Sequence, residues 1–272
     1  MKEIAIIYDF DGTLAKGNIP EHGLLQILGI PKEDFWAEVK DVTKETDSDE
    51  VIVYMHLLAQ KASERNIKLT KEMLNTFGRG NIPFFDGVLA WFTRINSLFS
   101  NENFTICHYI VSSGLHEIIE TTEIATHIKK LFAPKYIYGE NGTIISPGVA
   151  INYTTKTQYL FRINKGILNN YDNKSLNTWV PIKDRPVPFS RIIYIGDGDT
   201  DIPAMKMVRA QGGISIGVFD PETWNDLSSQ KRIYKLISED RVHYVAPADY
   251  TDGSQLDIVI KGVIDRMING NN

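Results

Sequence analysis

Short apolar runs rich in β-branched residues alternate along this chain with stretches of helical period, and that alternation limits the fold more than any single residue does. The strand candidates are Ile4 to Tyr8, Thr105 to Val111, Arg191 to Ile195, Gly213 to Val218 and Val242 to Ala246. Helical stretches follow the first four: Phe85 to Leu98 after a long detour, Leu115 to Ile124, Asp201 to Arg209, and Pro221 to Ile237. A last helix runs from Ser254 to Met267. The pattern predicts an α/β fold, a Rossmann-like parallel sheet with helices on both faces, because a parallel pair needs a crossover that packs back on the sheet. Ligands of such sheets bind beyond the carboxyl ends of the strands, so chemistry is to be sought just after each strand.

One stretch breaks the alternation. Between the first strand and the Phe85 helix lie about 70 residues of helical period, with Leu24, Leu25, Leu28, Val51, Tyr54, Met55 and Leu58 as their apolar positions. They predict a smaller helical domain over residues 15–82, inserted into a core made of residues 1–14 and 83–272. Arg79-Gly80-Asn81-Ile82-Pro83 has the composition of the returning connector. The acidic run from Asp47 to Glu50 reads as a solvated helix start and is left outside the site. Downstream, Asn141-Gly142 between β-branched runs signals a hairpin. Asn169 to Ser190, rich in Asn, Asp and Pro, reads as a long loop.

Composition excludes several classes. With 43% hydrophobic and 23% charged residues the chain is neither disordered nor collagen-like. A net charge of -5 with both signs interspersed gives no field for nucleic acid or an anionic membrane, so neither is expected as a partner. The single cysteine, Cys107, permits no internal disulfide, and Ile4 to Ile7 is too short for a signal-peptide core. Both point to the cytoplasm, where the sequons at Asn103, Asn141 and Asn152 would be chance matches.

Two acidic clusters stand at strand ends: Asp9-Phe10-Asp11-Gly12-Thr13 after the first strand, and Gly196-Asp197-Gly198-Asp199-Thr200-Asp201 after the third. Carboxylates from two strand ends can build a site for a hard cation such as Mg2+, which prefers oxygen ligands. Val111-Ser112-Ser113-Gly114 adds hydroxyl and backbone N–H groups at another strand end. Lys156 opens an apolar-periodic helix through Tyr159, Leu160 and Ile163, with Lys165 as the alternative cation nine residues on. These parts suffice for phosphoryl transfer, which depends on positioning and charge neutralisation. Two other readings fail. A calcium loop opening at Asp197 would need Gly and Glu where Ile202 and Val208 stand. In a dinucleotide loop, Asp201 would occupy the third glycine's place. His56 and His116 form no metal-spaced pair.

On these residues the chain resembles the haloacid dehalogenase superfamily, and most of all its phosphoserine-phosphatase-like branch with a helical cap. Asp9 to Leu14, Ile110 to Ser112, Lys156, and Gly196 to Asp201 are similar in order to the superfamily's four motifs. The resemblance implies Asp9 as nucleophile and metal ligand, and Asp11 as general acid and base whose carbonyl also binds the metal. It implies Ser112 and Lys156 as holders of the phosphoryl oxygens, and Asp197 and Asp201 as metal ligands. The expected activity is Mg2+-dependent hydrolysis of a small phosphorylated metabolite through an aspartyl-phosphate. The alternatives are a phosphotransferase or mutase sharing that intermediate, and a non-catalytic phospholigand-binding domain. Lys16, Asn18, Glu21 and Arg79, near the ends of the insert, are the predicted substrate readers. By spacing, Asn18 replaces the glutamate with which phosphoserine phosphatases grip the substrate amine.

Overall fold

The computed structural model describes residues 1–270, so the last two residues of the predicted core, 271 and 272, lie outside the described residues. The chain opens with β1 (Lys2–Tyr8) and passes through α1 (Leu24–Ile27), α2 (Lys32–Thr46), α3 (Glu50–Glu64) and α4 (Lys71–Gly78). It returns with α5 (Val88–Phe99), β2 (Phe104–Val111), α6 (His116–Ile119) and β3 (Ile128–Phe132). A hairpin of β4 (Lys135–Tyr138) and β5 (Ile144–Val149) precedes α7 (Lys156–Lys165) and α8 (Asn173–Asn177). The last part comprises β6 (Ile192–Gly196), α9 (Ile202–Ala210), β7 (Ile214–Phe219), α10 (Leu227–Ser238), β8 (Tyr244–Pro247) and α11 (Gln255–Asn269).

Six strands form one parallel sheet in the order β3-β2-β1-β6-β7-β8. The order reverses between β1 and β6, which makes the ends of those two strands the natural ligand cleft. β1 is central and its side chains from Ile4 to Tyr8 are wholly buried, Ile4, Ile6 and Tyr8 on one face and Ala5 and Ile7 on the other. The first face is covered by α5 and α11, and Phe35, Val39, Met55, Leu58 and Leu74 of the inserted helices join the same apolar cluster. The second is covered by α7, α9 and α10 through Leu160, Ile163, Met205, Val208 and Leu236. Burying each of these side chains contributes roughly 1.5–3 kcal/mol.

The chain leaves the core and re-enters it at adjacent points. Lys16 donates its backbone N–H to the Pro83 carbonyl at 2.8 Å, and Phe85 donates to the Leu14 carbonyl at 3.0 Å. The turn that follows requires glycine at position 87, where φ is +82° and a Cβ would lie 2.4 Å from the Thr251 nitrogen. Hydrogen bonds then join the insert to the core, among them Tyr54 to Ser113 O at 2.7 Å, Tyr136 to Met55 O at 2.8 Å, Thr121 to Asn75 O at 2.8 Å, and Asn152 to the Asp49 carboxylate.

Several expectations need correction. The helix predicted over Leu115 to Ile124 shrinks to α6, because the hydroxyls of Thr121 and Thr122 bond back to the carbonyls of Ile118 and Ile119 at 3.1 and 2.8 Å. β3 is absent from the predicted strands: it is a short edge strand interrupted by Lys129 and Lys130, residues that protect sheet edges. The helix predicted from Pro221 is a short turn, Pro221–Thr223, followed by α10. The long loop contains α8 and is pinned by the buried Arg162, which donates to the carbonyls of Asn169 and Asn170 at 2.7 and 3.1 Å. The hairpin forms where Asn141-Gly142 predicts it. Among the described residues no helix is long and apolar enough to cross a membrane.

Candidate active site

β1 and β6 end side by side, with Tyr8 paired to Ile195, so the segments after them emerge together. Carboxylate oxygens of Asp9, Asp197 and Asp201 lie within 4.8 Å of one another. Glycine at position 12 allows this approach: its φ is +72°, and a Cβ there would stand 2.5 Å from Asp197 Oδ2. Asp201 follows in a short turn, Asp199–Asp201, that opens α9.

Lys156, the first residue of α7, is wholly buried in the middle of this acid cluster. Its ammonium donates to Asp201 Oδ1 at 2.7 Å and Thr200 Oγ1 at 3.2 Å, and it pairs with Asp9 Oδ1 at 2.9 Å. Burial alone would lower the lysine's pKa, but Asp201 and Asp9 outweigh it and the net shift is upward. Burial, reinforced by Asp201 and opposed by Lys156, holds Asp9 well above the usual carboxylate range. Burial pushes Asp197 up to about 7, with Asp201 adding to the rise and Arg232 opposing it. The cluster thus carries more negative charge than its one lysine neutralises, and all its donors are hard oxygens. That is the chemistry of a site for a divalent cation such as Mg2+.

Asp11 stands apart from the three. Its Oδ1 accepts the Ile19 backbone N–H at 2.9 Å, while part of the residue lines a cavity. Enclosure pushes its carboxyl up to about 7; the Ile19 bond and Lys156 hold it down, and Asp197 and Glu21 raise it. A carboxyl in that range can hold a proton and give it away near neutral pH.

Two cavities meet at Asp11. The larger, about 470 Å³, is lined by Asp9, Asp197, Thr200, Ser113, Arg232 and the Asp220 to Asp226 turn, among others. The smaller, about 110 Å³, runs between insert and core. Ser113 borders both, and its buried Oγ has no hydrogen-bond partner. Ser112 borders neither: it is wholly buried, and its Oγ accepts the Gly114 N–H at 2.9 Å. Lys165 is far from this chemistry, its ammonium tying down the carbonyls of Leu176 and Thr178.

Of the predicted substrate readers, Asn18 lines both cavities, whereas Lys16 pairs with Glu222 at 2.7 Å. Glu21 accepts hydrogen bonds from Asn18 and Trp36, and Arg79 is an exposed residue bordering neither cavity. Asp49 caps α3 as a solvated helix start would, but Glu50 lines the smaller cavity, so the acidic run cannot be set aside whole. Sequence reasoning missed three site residues. Tyr194 donates its hydroxyl to Asp201 Oδ1 at 2.6 Å. Thr200 meets Lys156, and Arg232 reaches Asp197 Oδ2 at 3.4 Å from α10. A tyrosine two residues before the Gly196-Asp197 pair was the one available signal; nothing marked Arg232 among the basic residues of α10.

No family model matches the chain. It belongs to the same family as an uncharacterized protein of Borreliella burgdorferi, to which it is 30% identical over 277 residues, 93% of each chain. Among solved structures it is similar to a HAD family hydrolase from Salmonella enterica serovar Typhi, with a TM-score of 0.57 at 15% identity, covering 94% of this chain and 69% of that one. It is also similar to a probable phosphoserine phosphatase from Vibrio cholerae, with a TM-score of 0.58 at 12% identity over 100% and 68% of the two chains. The chain shares the fold of these proteins. A phosphoserine phosphohydrolase-like protein from Francisella tularensis, with a TM-score of 0.53 at 19% identity, matches over 96% of this chain and 99% of its own. The haloacid dehalogenase fold accounts for the parallel sheet and the helices around it.

Proposed function

We propose that the chain is a phosphatase that hydrolyses a small phosphomonoester through an aspartyl-phosphate on Asp9. The observation that carries this reading is the convergence of Asp9, Asp197 and Asp201, with Lys156 paired to Asp9 and Asp201 and Asp11 held separately on a cavity wall. A carboxylate of Asp9 attacks phosphorus, the bond from phosphorus to the ester oxygen breaks, and that oxygen takes the proton held by Asp11. Water then attacks the same phosphorus, Asp11 takes up its proton, and Asp9 is released with inorganic phosphate. Asp9, Asp197, Asp201 and the Asp11 carbonyl would hold Mg2+, which when bound neutralises charge on the transferring phosphoryl group. Lys156 holds Asp9 and Asp201 in place and carries positive charge at the same point.

In this reading the phosphoryl group is held by Lys156 and by backbone and hydroxyl groups of the Ser112-Ser113-Gly114 segment. The unpartnered Ser113 Oγ makes that residue a second hydroxyl for the role, beside the Ser112 implied by resemblance. The helical insert, over residues 15–82, is the cap that excludes water from the reacting centre.

The test is phosphate release from a panel of phosphorylated metabolites with Mg2+ and with a chelator. Activity should require the metal and should vanish in Asp9→Asn with the fold intact by circular dichroism. Full activity in that variant would remove Asp9 as nucleophile, and transfer to an added alcohol in place of water would make the chain a phosphotransferase.

A further inference from the structure

The smaller cavity opens on Asp11, the group that would protonate the leaving oxygen, so in the proposed reaction it is where the alcohol part of the substrate lies. Its walls have an unusual composition for so small a space. Trp36 and Tyr54 come from the insert and Tyr153 from the segment before α7. The Trp36 and Tyr54 rings stand 5.9 Å apart with planes at 65°, which makes a corner of two aromatic walls. Both are fixed: Trp36 Nε1 donates to Glu21 Oε1 at 2.8 Å, and the Tyr54 hydroxyl donates to the Ser113 carbonyl at 2.7 Å. Tyr153, 43% exposed, forms the solvent side. Glu50, at the first position of α3, adds a carboxylate.

Among the described residues no lysine, arginine or histidine lines this cavity. A leaving group with a carboxylate would therefore face Glu50 and Asp11 without a cation to receive it, a repulsive arrangement in a confined space. An uncharged alcohol would leave Glu50 without a counter-charge. A cation meets both demands: aromatic faces attract it through their quadrupoles, and the acid supplies the opposite charge.

We infer that the substrate is a phosphomonoester whose alcohol carries a positively charged nitrogen on a short alkyl chain, seated among Trp36, Tyr54, Tyr153 and Glu50. The inference rests on the phosphatase reading above and narrows its substrate class. A quaternary nitrogen would use the aromatic walls most, and a primary ammonium would use Glu50 and its hydrogen-bonding neighbours most.

The experiment compares kcat/KM, with Mg2+ present, for phosphocholine and its uncharged carbon isostere 3,3-dimethylbutyl phosphate, and for phosphoethanolamine and propyl phosphate. Phosphoserine and p-nitrophenyl phosphate are run beside them. At least one charged member should exceed its uncharged partner by about ten-fold or more, and phosphoserine should be poor. Which pair shows the larger ratio tells the quaternary from the primary ammonium. Glu50→Gln and Trp36→Leu should each bring that ratio toward one. Glu50 is partly exposed, so its variant serves if loss of Trp36 prevents folding. Equal rates within both pairs, or a preference for phosphoserine, would overturn the inference even while p-nitrophenyl phosphate is hydrolysed. If no ester is hydrolysed, the phosphatase reading falls, and calorimetric binding of phosphocholine and phosphoethanolamine against their isosteres decides the remainder. A preference for the charged ligand keeps the ammonium site, and equal affinities remove it.

Discussion

Tyr54, on the inserted helix α3, donates its hydroxyl to the main-chain oxygen of Ser113 at 2.7 Å, so one ring both walls the smaller cavity and fastens the insert to the segment after β2. Tyr54→Phe keeps the ring and removes the bond, at a cost of about 1 kcal/mol. The expected result is a KM raised several-fold, a smaller change in kcat, and faster protease cleavage within residues 15–82. Unchanged KM and cleavage would show that the remaining ties, among them Tyr136 to Met55, Thr121 to Asn75 and Asn152 to Asp49, hold the insert without it.

Lys156 is the counter-charge of two buried acids. Lys156→Met would leave Asp9 and Asp201 facing each other without it, a change that typically destabilises by about 3–5 kcal/mol. Urea unfolding in the presence of a chelator should show this loss. A loss below about 1 kcal/mol would mean that the carboxylates separate or take up a proton at little cost.

Gly12 sits where the two acidic clusters meet. Gly12→Ala would bring a methyl group to within 2.5 Å of Asp197 Oδ2 on a backbone with φ of +72°. Stability should fall by about 1 kcal/mol or more, and Mg2+ affinity measured by calorimetry should fall with it. Unchanged metal affinity would place Asp197 outside the ligand set.

His108 sets a pH limit that is separate from the site. Trp91 Nε1 donates to the Tyr8 hydroxyl at 2.8 Å, Tyr8 donates to His108 Nδ1 at 3.0 Å, and His108 Nε2 donates to Asn96 Oδ1 at 3.1 Å, a chain that requires neutral imidazole. Burial, with a smaller contribution from His127, lowers its pKa from 6.5 to about 3. The unfolded chain binds this proton more readily, so the histidine's contribution to stability is complete above pH 6.5 and is lost as pH falls toward 3. The full shift corresponds to roughly 4–5 kcal/mol. His108→Gln should flatten that part of the urea-stability profile, and a profile as steep as the wild type's would assign the acid limb to other groups.

The parallel sheet could be read from the sequence because β1, β2, β6 and β7 are apolar runs with a length and β-branched content that suit a strand covered on both faces. β3 could not, since an edge strand with one partner needs no such run and Lys129-Lys130 hides it. Asp9, Asp11, Asp197, Asp201 and Lys156 stand at element ends, where local punctuation marks them. Trp36, Tyr54 and Arg232 lie within helices, where an aromatic residue at helical spacing looks like core and a basic one like surface.

Local pattern alone marked most of the strands and helices in their order and the acidic residues at two strand ends, because backbone periodicity and turn chemistry act over a few residues. Only the tertiary structure decided that Lys156 is encircled by Asp9 and Asp201 while Lys165 holds a loop, and that Glu50 belongs to a cavity. Those outcomes depend on how the insert and α7 pack against the sheet. Packing joins residues as far apart as Asp9 and Asp201, whose separation along the chain carries no record of their distance in space.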